Sequence, residues 1–371
     1  MPVPEETVWS IDAHTRAKHE ILRRYLGAWF GILGSRFPRI VYIDGFCGPG
    51  RYSGGELGSP IVAINEALAH AGRIRDCEVV FLFSDERADR IGHLQSELDR
   101  IEVPSTFKLD PRVGRFSEVL GSVLDDLEAT GGQLAPTFAF IDPFGFSDLP
   151  FTLVARVLRN PNCEVFINFM VNAVQRFVEH PLEAVREEIA QLFGTPDIAR
   201  AVREGGDRVE ALRQLYQTQL RSEATFVRSF EIKDSPSRVL YYLLFATNNR
   251  LGHAKMKEAM WGVDRSGQFR FVDNTMPDQL ILLEEDPLAL LVPLTARRFA
   301  GSRVGVGDVF DVVVDDTGFT EGHARQALKT LEDRGGLVVE PTKASGQKRR
   351  KGSFTRDVIV RFPAPFASSG N

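Results

Sequence analysis

The chain has 371 residues, of which 43% are hydrophobic and 26% are charged. That composition is typical of a globular protein with one large domain or a few ordinary ones. The formal net charge of −5 excludes a global positive field, so any contact with nucleic acid has to come from local basic patches.

Neither the N-terminus nor the cysteine content indicates secretion. The opening residues MPVPEETVWS lack the basic and apolar regions of a signal peptide, and no apolar run approaches the roughly 20 residues that span a bilayer. The cysteines Cys47, Cys77 and Cys163 form neither a disulfide framework nor a CxxC metal motif. We therefore expect a cytoplasmic protein with no metal and no membrane contact.

The predicted elements begin with an amphipathic helix over residues 12–33 and continue with apolar strands that alternate with helical patterns. The strands are predicted in RIVYIDGF, EVVFLFSDE, TFKLD, PTFAFIDPFG and CEVFINF. Near-continuous apolar strands separated by helices are typical of a parallel sheet covered on both faces. The sequence therefore predicts a doubly wound, Rossmann-like α/β sheet.

This sheet is predicted to close with an antiparallel hairpin. A mostly helical stretch over about 173–223 comes first and is too long for a simple crossover, so we interpret it as a helical insertion. TFVRSFEIKD and RVLYYLLFATNN are then two strands joined by the turn DSPS. A parallel sheet that ends in such a hairpin is the architecture of S-adenosylmethionine methyltransferases, and we expect residues 1–285 to form a domain of this kind.

The pattern changes in residues 286–371. A helix, a turn and a second helix capped by Thr320 precede two predicted strands, which predicts a winged-helix domain. The tip of the wing is basic, and its candidate nucleic-acid contacts are Lys343, Lys348, Arg349, Arg350 and Lys351. Winged helices also dock proteins, and a run of charges is often only a solvated loop.

A glycine-rich turn follows the first predicted strand, where doubly wound sheets bind their ligands. Its pattern D-x-F-x-G-x-G resembles the first motif of nucleic-acid methyltransferases, in which the acid neighbours the methionine end of the cofactor and the glycines pass under its ribose. It fits neither the dinucleotide G-x-G-x-x-G nor a P-loop. The candidate cofactor residues are Asp44, Gly45, Phe46, Gly48 and Gly50. A turn without a ligand is the alternative, and Cys47 is interpreted as a small apolar filler.

Acidic residues end the next two predicted strands. Asp85 and Glu86 follow the second strand, and we expect one of them to accept hydrogen bonds from ribose hydroxyls, although an ordinary helix cap fits them too. Asp110 ends the third strand, where methyltransferases commonly hold the adenine. A plain turn residue before Pro111 is the alternative for Asp110.

A second motif, FIDPFGF, follows the fourth predicted strand. It resembles the D/N-P-P-Y/F motif of amino-group methyltransferases, in which a side-chain oxygen and a backbone carbonyl orient the amine while an aromatic ring stacks on the base. Asp142 and Pro143 would supply the acceptors and Phe144 the ring. The motif is one proline short and continues with Gly145, closer to guanine-N2 tRNA methyltransferases. A purely structural turn is the alternative.

The N-terminal helix adds polar side chains on one face. His14 and Lys18 are four residues apart, and in methyltransferases with this order of motifs such a helix folds over the carboxylate of the cofactor. Lys18 or His14 is therefore a candidate for contacting the methionine tail or a substrate phosphate. A solvated helix face is the alternative.

Together with YLGAWF, INFMVNAV and YYLLFATNNRLGHAKMKEAMWGVD, these motifs resemble the three-Cys-motif partner proteins. The resemblance covers most of residues 11–271. It implies a bacterial protein of the methyltransferase type, encoded beside a radical-SAM protein with a three-cysteine motif, which would be its partner.

The sequence thus favours an S-adenosylmethionine-dependent methyltransferase that acts on an exocyclic nucleobase amine in RNA or DNA. The alternative is a nucleic-acid-binding subunit that has lost the chemistry and recruits the radical-SAM protein to its substrate.

Overall fold

The computed structural model describes residues 4–235, 238–264, 270–272 and 286–364. These residues form two compact units, residues 4–263 with 270–272 and residue 264 with 286–364. The predicted domain boundary at 285/286 falls at the end of a segment that lies outside the described residues. Within the described part of the chain, no helix is both long and apolar enough to cross a membrane.

A sheet of eight strands, counted over the described residues, forms the centre of the first unit. The strands are β1 (Arg39–Asp44), β2 (Glu78–Asp85), β3 (Phe107–Val113), β4 (Thr137–Ile141), β5 (Glu164–Phe169), β6 (Phe226–Ser235), β7 (Arg238–Thr247) and β8 (Arg270–Val272). They lie side by side in the order β3-β2-β1-β4-β5-β7-β6-β8. Because β1 pairs in parallel with both β2 and β4, the strand order reverses at β1, and ligands of doubly wound sheets bind at such a point.

The burial of the central strands follows from their apolar sequences. Every residue of β4 and β5 is buried, as expected where helices cover both faces of a parallel sheet. Strand β7 runs antiparallel to both β5 and β6. The predicted doubly wound sheet and its closing hairpin are therefore confirmed, with the second strand of the hairpin next to β5.

Helices cover this sheet on both sides. They are α1 (Ala13–Leu33), α2 (Ser59–Ala69), α3 (Ala88–Leu98), α4 (Phe116–Ala129), α5 (Phe151–Leu158), α6 (Val171–Phe177), α7 (Glu183–Phe193), α8 (Ile198–Glu204), α9 (Arg208–Glu223) and α10 (Arg250–Trp261). Helix α1 packs against α2 and α10, and α5 packs against α4, α7 and α9. Helices α6 to α9 occupy the stretch that we interpret as an insertion, and that interpretation stays a prediction.

Strand β3 differs from its prediction. The sequence predicts a strand that ends at Asp110, whereas β3 continues through Pro111 to Val113. This strand lies at the edge of the sheet, where a proline is tolerated because its missing N–H need not pair with a neighbouring strand. Asp110 therefore lies inside an edge strand, and its predicted place at the end of β3 is wrong.

The second unit is smaller. It contains α11 (Pro287–Arg298), β9 (Arg303–Gly305), α12 (Val306–Asp316), α13 (Glu321–Asp333), β10 (Val338–Val339) and β11 (Ile359–Arg361). The strands are antiparallel in the order β10-β11-β9. The Thr320 side chain accepts a hydrogen bond from the backbone N–H of His323, so the predicted cap of α13 is confirmed. The winged-helix interpretation stays a prediction.

Candidate functional site

The turn after β1 requires glycine at two positions. Gly48 and Gly50 have φ angles of +61° and +80°, a left-handed conformation that favours glycine. A Cβ atom on Gly50 would also lie 2.7 Å from Leu94 Cδ1. The backbone N–H of Gly48 donates a hydrogen bond to Asp85 Oδ2 at 3.2 Å, so the turn is fixed to the carboxyl end of β2.

Gly45 is required for a different reason. A Cβ atom at this position would lie 2.3 Å from the ring of Phe116 at the start of α4. The Phe46 ring packs against the same ring, with 5.5 Å between the centroids. The turn therefore approaches α4 closely and leaves an aromatic wall beside it.

Two cavities adjoin the turn. The first has a volume of about 280 Å³, and its lining includes Trp9, Lys18, His19, Asp142 and Asn168. The second has a volume of about 320 Å³, and its lining includes Asp85, Glu86, Arg115, Phe116 and Asp148. The two cavities share Phe46, Pro143 and Phe144. They therefore meet at the carboxyl ends of β1 and β4, where the order of the strands reverses.

Asp142 is held from two sides in the first cavity. Its Oδ2 lies 2.5 Å from the Nζ of Lys18 on α1, and its Oδ1 accepts a hydrogen bond of 2.7 Å from Asn168 Nδ2 on β5. The Lys18 side chain is buried, so the nearby carboxylate balances a charge that has little water around it. Both oxygens of Asp142 therefore already accept from the protein.

The sequence predicted part of this group. Lys18 does reach the first cavity, but it lies against Asp142, and His14 is not among the described residues that line either cavity. Asn168 and His19 were not predicted. The signal for Asn168 was one polar residue near the end of the apolar run CEVFINF, because the carboxyl end of β5 lies beside that of β4.

Asp44 lies behind the turn and lines neither cavity. Its side chain is fully buried, and the hydroxyl of Tyr42 donates a hydrogen bond to Asp44 Oδ2 at 3.2 Å. Burial raises the pKa of Asp44 to about 7, with a further rise from the charge of Asp142 and opposing hydrogen bonds from Ser59 and Tyr42. Asp44 therefore lies behind the residues that line the cavities, and its predicted role at the cofactor stays a prediction.

Asp85 and Glu86 have different surroundings. Asp85 is buried, accepts hydrogen bonds from the backbone N–H groups of Gly48 and Arg87, and lies 3.6 Å from Arg90. Glu86 is exposed and lines the second cavity. Asp85 therefore organises the turn from the wall of the second cavity, and Glu86 presents an exposed carboxylate to the same cavity.

Asp110 lies outside this arrangement. Its side chain is 40% exposed and pairs with Arg112 at 2.7 Å. Asp110 lines neither of the two cavities. The expectation that it lies where an adenine would bind stays a prediction.

A cluster of Trp9 and Arg90 covers the ring of Phe144. The Arg90 guanidinium lies 4.8 Å from the Trp9 ring centroid and 5.4 Å from that of Phe144. The Trp9 and Phe144 rings meet edge to face at 5.8 Å, and the Ser53 N–H donates to the Trp9 carbonyl at 2.9 Å. Neither Trp9 nor Arg90 belongs to a recognisable motif, so sequence reasoning missed both.

Cys47 lines the first cavity, but its chemistry does not suit a nucleophile. Burial raises the pKa of its thiol well above the ordinary value, and the charges of Asp44 and Asp85 raise it further. A thiol that stays protonated is a poor nucleophile. This environment agrees with the interpretation of Cys47 as an apolar filler.

The basic residues of the second unit differ in their surroundings. The Arg349 side chain is 7% exposed and donates hydrogen bonds of 2.7 and 2.8 Å to Glu332. Lys343 lies 3.6 Å from Asp357. The exposed members of the predicted patch are Lys348, Arg350 and Lys351. Arg349 therefore supports the local structure, and the three exposed residues are the ones that a phosphate could reach.

Known proteins resemble this chain distantly. No family model and no curated protein matches it. One similar solved structure is an O-methyltransferase from Bacillus cereus in complex with SAH, with 14% identity over 61% of this chain and 80% of that chain and a TM-score of 0.35. Another is human methyltransferase-like protein 13 in complex with SAH, with 9% identity over 71% and 97% of the chains and a TM-score of 0.36. Likenesses at this level do not bear on activity, which has to be inferred from the site.

Proposed function

We propose that the chain is an S-adenosylmethionine-dependent methyltransferase that acts on an exocyclic nucleobase amine in RNA or DNA. The observation that carries this proposal is the pair of adjoining cavities at the carboxyl edge of the sheet, one beside the glycine turn and one beside Glu86. A concave site with a few convergent polar groups is the usual form of a small-molecule site. S-adenosylmethionine would supply an electrophilic methyl group there.

The residues around the turn fit such a cofactor. Cβ atoms would strain the backbone at Gly48 and Gly50, and a Cβ atom on Gly58 would lie 2.9 Å from the Gly50 carbonyl oxygen. Glycine at these positions leaves the backbone open to a ligand. Glu86 is then the acceptor for the ribose hydroxyls, and Phe116 supplies an apolar wall for the adenine.

On the substrate side, a buried polar group lies next to an aromatic ring. Lys18 and Asn168 both donate hydrogen bonds to Asp142, and Phe144 lines the same cavity. We place the base beside Phe144 and its cluster with Trp9 and Arg90, because bases pack on aromatic rings and on guanidinium groups. A base flipped out of its strand would reach this position.

The remaining parts of the proposal concern partners and location. The exposed Lys348, Arg350 and Lys351 would contact the phosphate backbone. The resemblance of the sequence to three-Cys-motif partner proteins supports a radical-SAM protein as the partner. The described cysteines are free and buried, which suits the reducing cytoplasm.

Calorimetric titration with S-adenosylmethionine and S-adenosylhomocysteine tests the cofactor. Gly50→Ala drives a Cβ atom against Leu94, whereas Gly92→Ala on α3 meets nothing within 4 Å and is the matched control. We expect wild type and Gly92→Ala to bind equally, and Gly50→Ala to bind at least about tenfold more weakly because its backbone is strained. Wild-type protein that gives no binding heat at millimolar ligand would overturn the proposal.

A second candidate function is a nucleic-acid-binding subunit that recruits the radical-SAM protein without methyl transfer. It is favoured by the covering of Phe144 by Trp9 and Arg90, which would suit a site that is no longer used. The Asp142→Ala variant separates the two functions. If this variant binds nucleic acid and supports the reaction of the radical-SAM protein as well as wild type does, the recruiting role stands and the catalytic one does not.

A further inference from the structure

Two buried acceptor atoms in the first cavity have no hydrogen-bond donor. Among the described residues, none donates to His19 Nδ1 or to Asn168 Oδ1. Both side chains line this cavity, and they are only 7% and 4% exposed. Unpaired buried acceptors are rare and costly in folded proteins. Two donors on a bound ligand would satisfy these two atoms.

The orientation of Asn168 follows from its neighbour. Its amide is hydrogen-bonded to Asp142 Oδ1 at 2.7 Å, and an ionised carboxylate can only accept. The nitrogen of the amide must therefore face Asp142, because the network assigns nitrogen and oxygen. The oxygen of Asn168 is left as an acceptor.

His19 is an uncharged acceptor near neutral pH. Burial lowers the pKa of His19 to about 4, and the charge of Lys18 lowers it further, while Asp142, the Leu57 backbone and Asp12 oppose the shift. A neutral imidazole has one protonated nitrogen and one that accepts. Because Nδ1 has no partner among the described residues, we assign the proton to Nε2 and the accepting lone pair to Nδ1.

Asp142 is in the opposite situation. Lys18 and Asn168 already occupy its two oxygens. A substrate amine that approached Asp142 would have to displace one of these donors, and displacing Lys18 would leave a buried ammonium group without its carboxylate. Within the described residues, the unpaired acceptors beside Asp142 hold no donor that a substrate would have to displace.

We propose that His19 Nδ1 and Asn168 Oδ1 accept hydrogen bonds from the two N–H groups of the substrate amine, and that His19 takes up the proton released on methylation. Asp142 is then a positioning residue, which holds Asn168 and Lys18, and not the acceptor that its motif suggests. This inference rests on the proposed function, since it names the groups that meet the substrate of that reaction.

The transfer balances without a further reactant. The nitrogen lone pair forms the bond to the methyl carbon while the carbon–sulfur bond breaks, and its electron pair stays on sulfur. The proton leaves the nitrogen for His19 Nδ1 and passes from there to water. Because an amine conjugated to a nucleobase is strongly acidic once it has been alkylated, a weakly basic imidazole is sufficient.

The pair of acceptors also defines the class of substrate. A primary amine carries two N–H donors and can satisfy both acceptors, whereas a hydroxyl carries one donor and leaves the other acceptor unpaired. A site that hydrogen-bonds two donors discriminates strongly against an analogue that lacks one. This cavity therefore favours N-methylation over O-methylation.

A binding experiment tests the acceptors without methyl transfer. His19→Phe removes the acceptor and keeps a ring. His14→Phe is the matched control, because His14 lies on the same helix, is equally exposed at 7%, pairs with Asp12 at 3.2 Å and does not line the cavity. In protein with 15N-labelled histidine, NMR follows the ring nitrogens as adenosine, guanosine or cytidine is added. Each nucleoside is paired with the analogue in which hydrogen replaces the exocyclic amine.

We expect at least one amine-bearing nucleoside to shift the His19 nitrogens and its analogue to leave them unchanged, in wild type and in His14→Phe alike. The absence of a shift with all three nucleosides would overturn the inference. Thermal unfolding shows whether the variants fold. His19→Asn places an oxygen near the position of Nδ1, so it should keep the preference for the amine-bearing nucleoside. It replaces His19→Phe as the test if that variant does not fold.

Single-turnover methyl transfer to single-stranded RNA and DNA tests the proton acceptor. We expect His19→Phe to be about 10²- to 10⁴-fold slower than His14→Phe, with His19→Asn between them and with equal affinities for S-adenosylhomocysteine. Equal rates in the two phenylalanine variants would overturn the role of His19. Wild-type protein that binds no S-adenosylhomocysteine would overturn the proposed function instead, and the nucleoside experiment would still decide the acceptors.

Discussion

The two ends of the central sheet both hold buried polar groups, and they differ in how completely the protein satisfies them. At the amino end, the oxygens of Glu164 accept hydrogen bonds from the hydroxyls of Tyr25 and Thr247. At the carboxyl end, His19 Nδ1 and Asn168 Oδ1 have no donor among the described residues. At the amino end the indole N–H of Trp29, beside Glu164, also lacks a partner in the described part of the chain, so the mark of the end that we assign to a substrate is the pair of unmet acceptors in one cavity.

Other features do not separate the two ends. Burial raises the pKa of Glu164 to about 7, as it does for Asp44 near the site. A cavity of about 170 Å³ adjoins Glu164 as well. Perturbed pKa values occur in structural networks as well as at functional sites. A carboxyl with a perturbed pKa beside a cavity therefore does not by itself identify the functional end of this sheet. The hydrogen-bond partners of each buried polar atom are needed as well.

The largest expected effect comes from breaking the buried pair at the carboxyl end. Asp142→Ala leaves the buried ammonium of Lys18 without its carboxylate, and we expect the free energy of unfolding to fall by about 3–5 kcal/mol. The double variant Lys18→Met with Asp142→Leu removes both charges and should regain most of that loss. Chemical denaturation measures all three proteins. A double variant that is no more stable than Asp142→Ala would show that Asp142 does not act by balancing Lys18.

At the amino end, Glu164 should make stability depend on pH. Its pKa of about 7 lies above the ordinary value of 4.5, so its stabilising contribution is complete below pH 4.5 and is lost as the pH rises through 7. We expect the free energy of unfolding of the wild type to fall by up to about 3 kcal/mol over that interval because of this residue. Glu164→Gln, which can keep the hydrogen bonds to Tyr25 and Thr247, should not show this loss.

Denaturation at pH 5 and pH 8 measures the difference between the two proteins. Because Asp44 titrates in the same range and is present in both, subtracting the two curves isolates Glu164. Parallel curves would mean that Glu164 is equally ionised in the folded and unfolded chains. Its carboxyl would then titrate like one on an exposed surface, despite its burial.

Much of the fold could be predicted from the sequence because its signals are local. Apolar strands that alternate with helices define a parallel sheet, and the usual hand of the crossovers limits the order of its strands. The glycine turn and Asp142 were predictable for the same reason, since each directly follows a strand whose carboxyl end lies at one edge of the sheet. The predicted end of β3 at Asp110 was wrong because a proline usually ends a strand but is tolerated at a sheet edge.

The acceptors in the site could not be predicted, because they depend on contacts between distant parts of the chain. Lys18 and Asp142 are 124 residues apart, and no local pattern places α1 over the end of β4. His19 is next to Lys18 in the same helical pattern, and its missing donor is visible only once Asn168 and Asp142 are packed beside it. The same holds for Trp9, which precedes the first predicted element yet covers Phe144.

The smallest expected effect lies in the second unit, where paired and exposed cations again occur together. Replacing Lys348, Arg350 and Lys351 by alanine should weaken nucleic-acid binding and lower the slope of log affinity against log salt by up to about 3, because each lost phosphate contact releases one counterion fewer. Arg349→Ala should instead lower the thermal stability of this unit, since Glu332 loses a bidentate partner. Fluorescence anisotropy over a salt series separates the two effects. If the triple variant keeps the wild-type slope, these three residues do not contact phosphate.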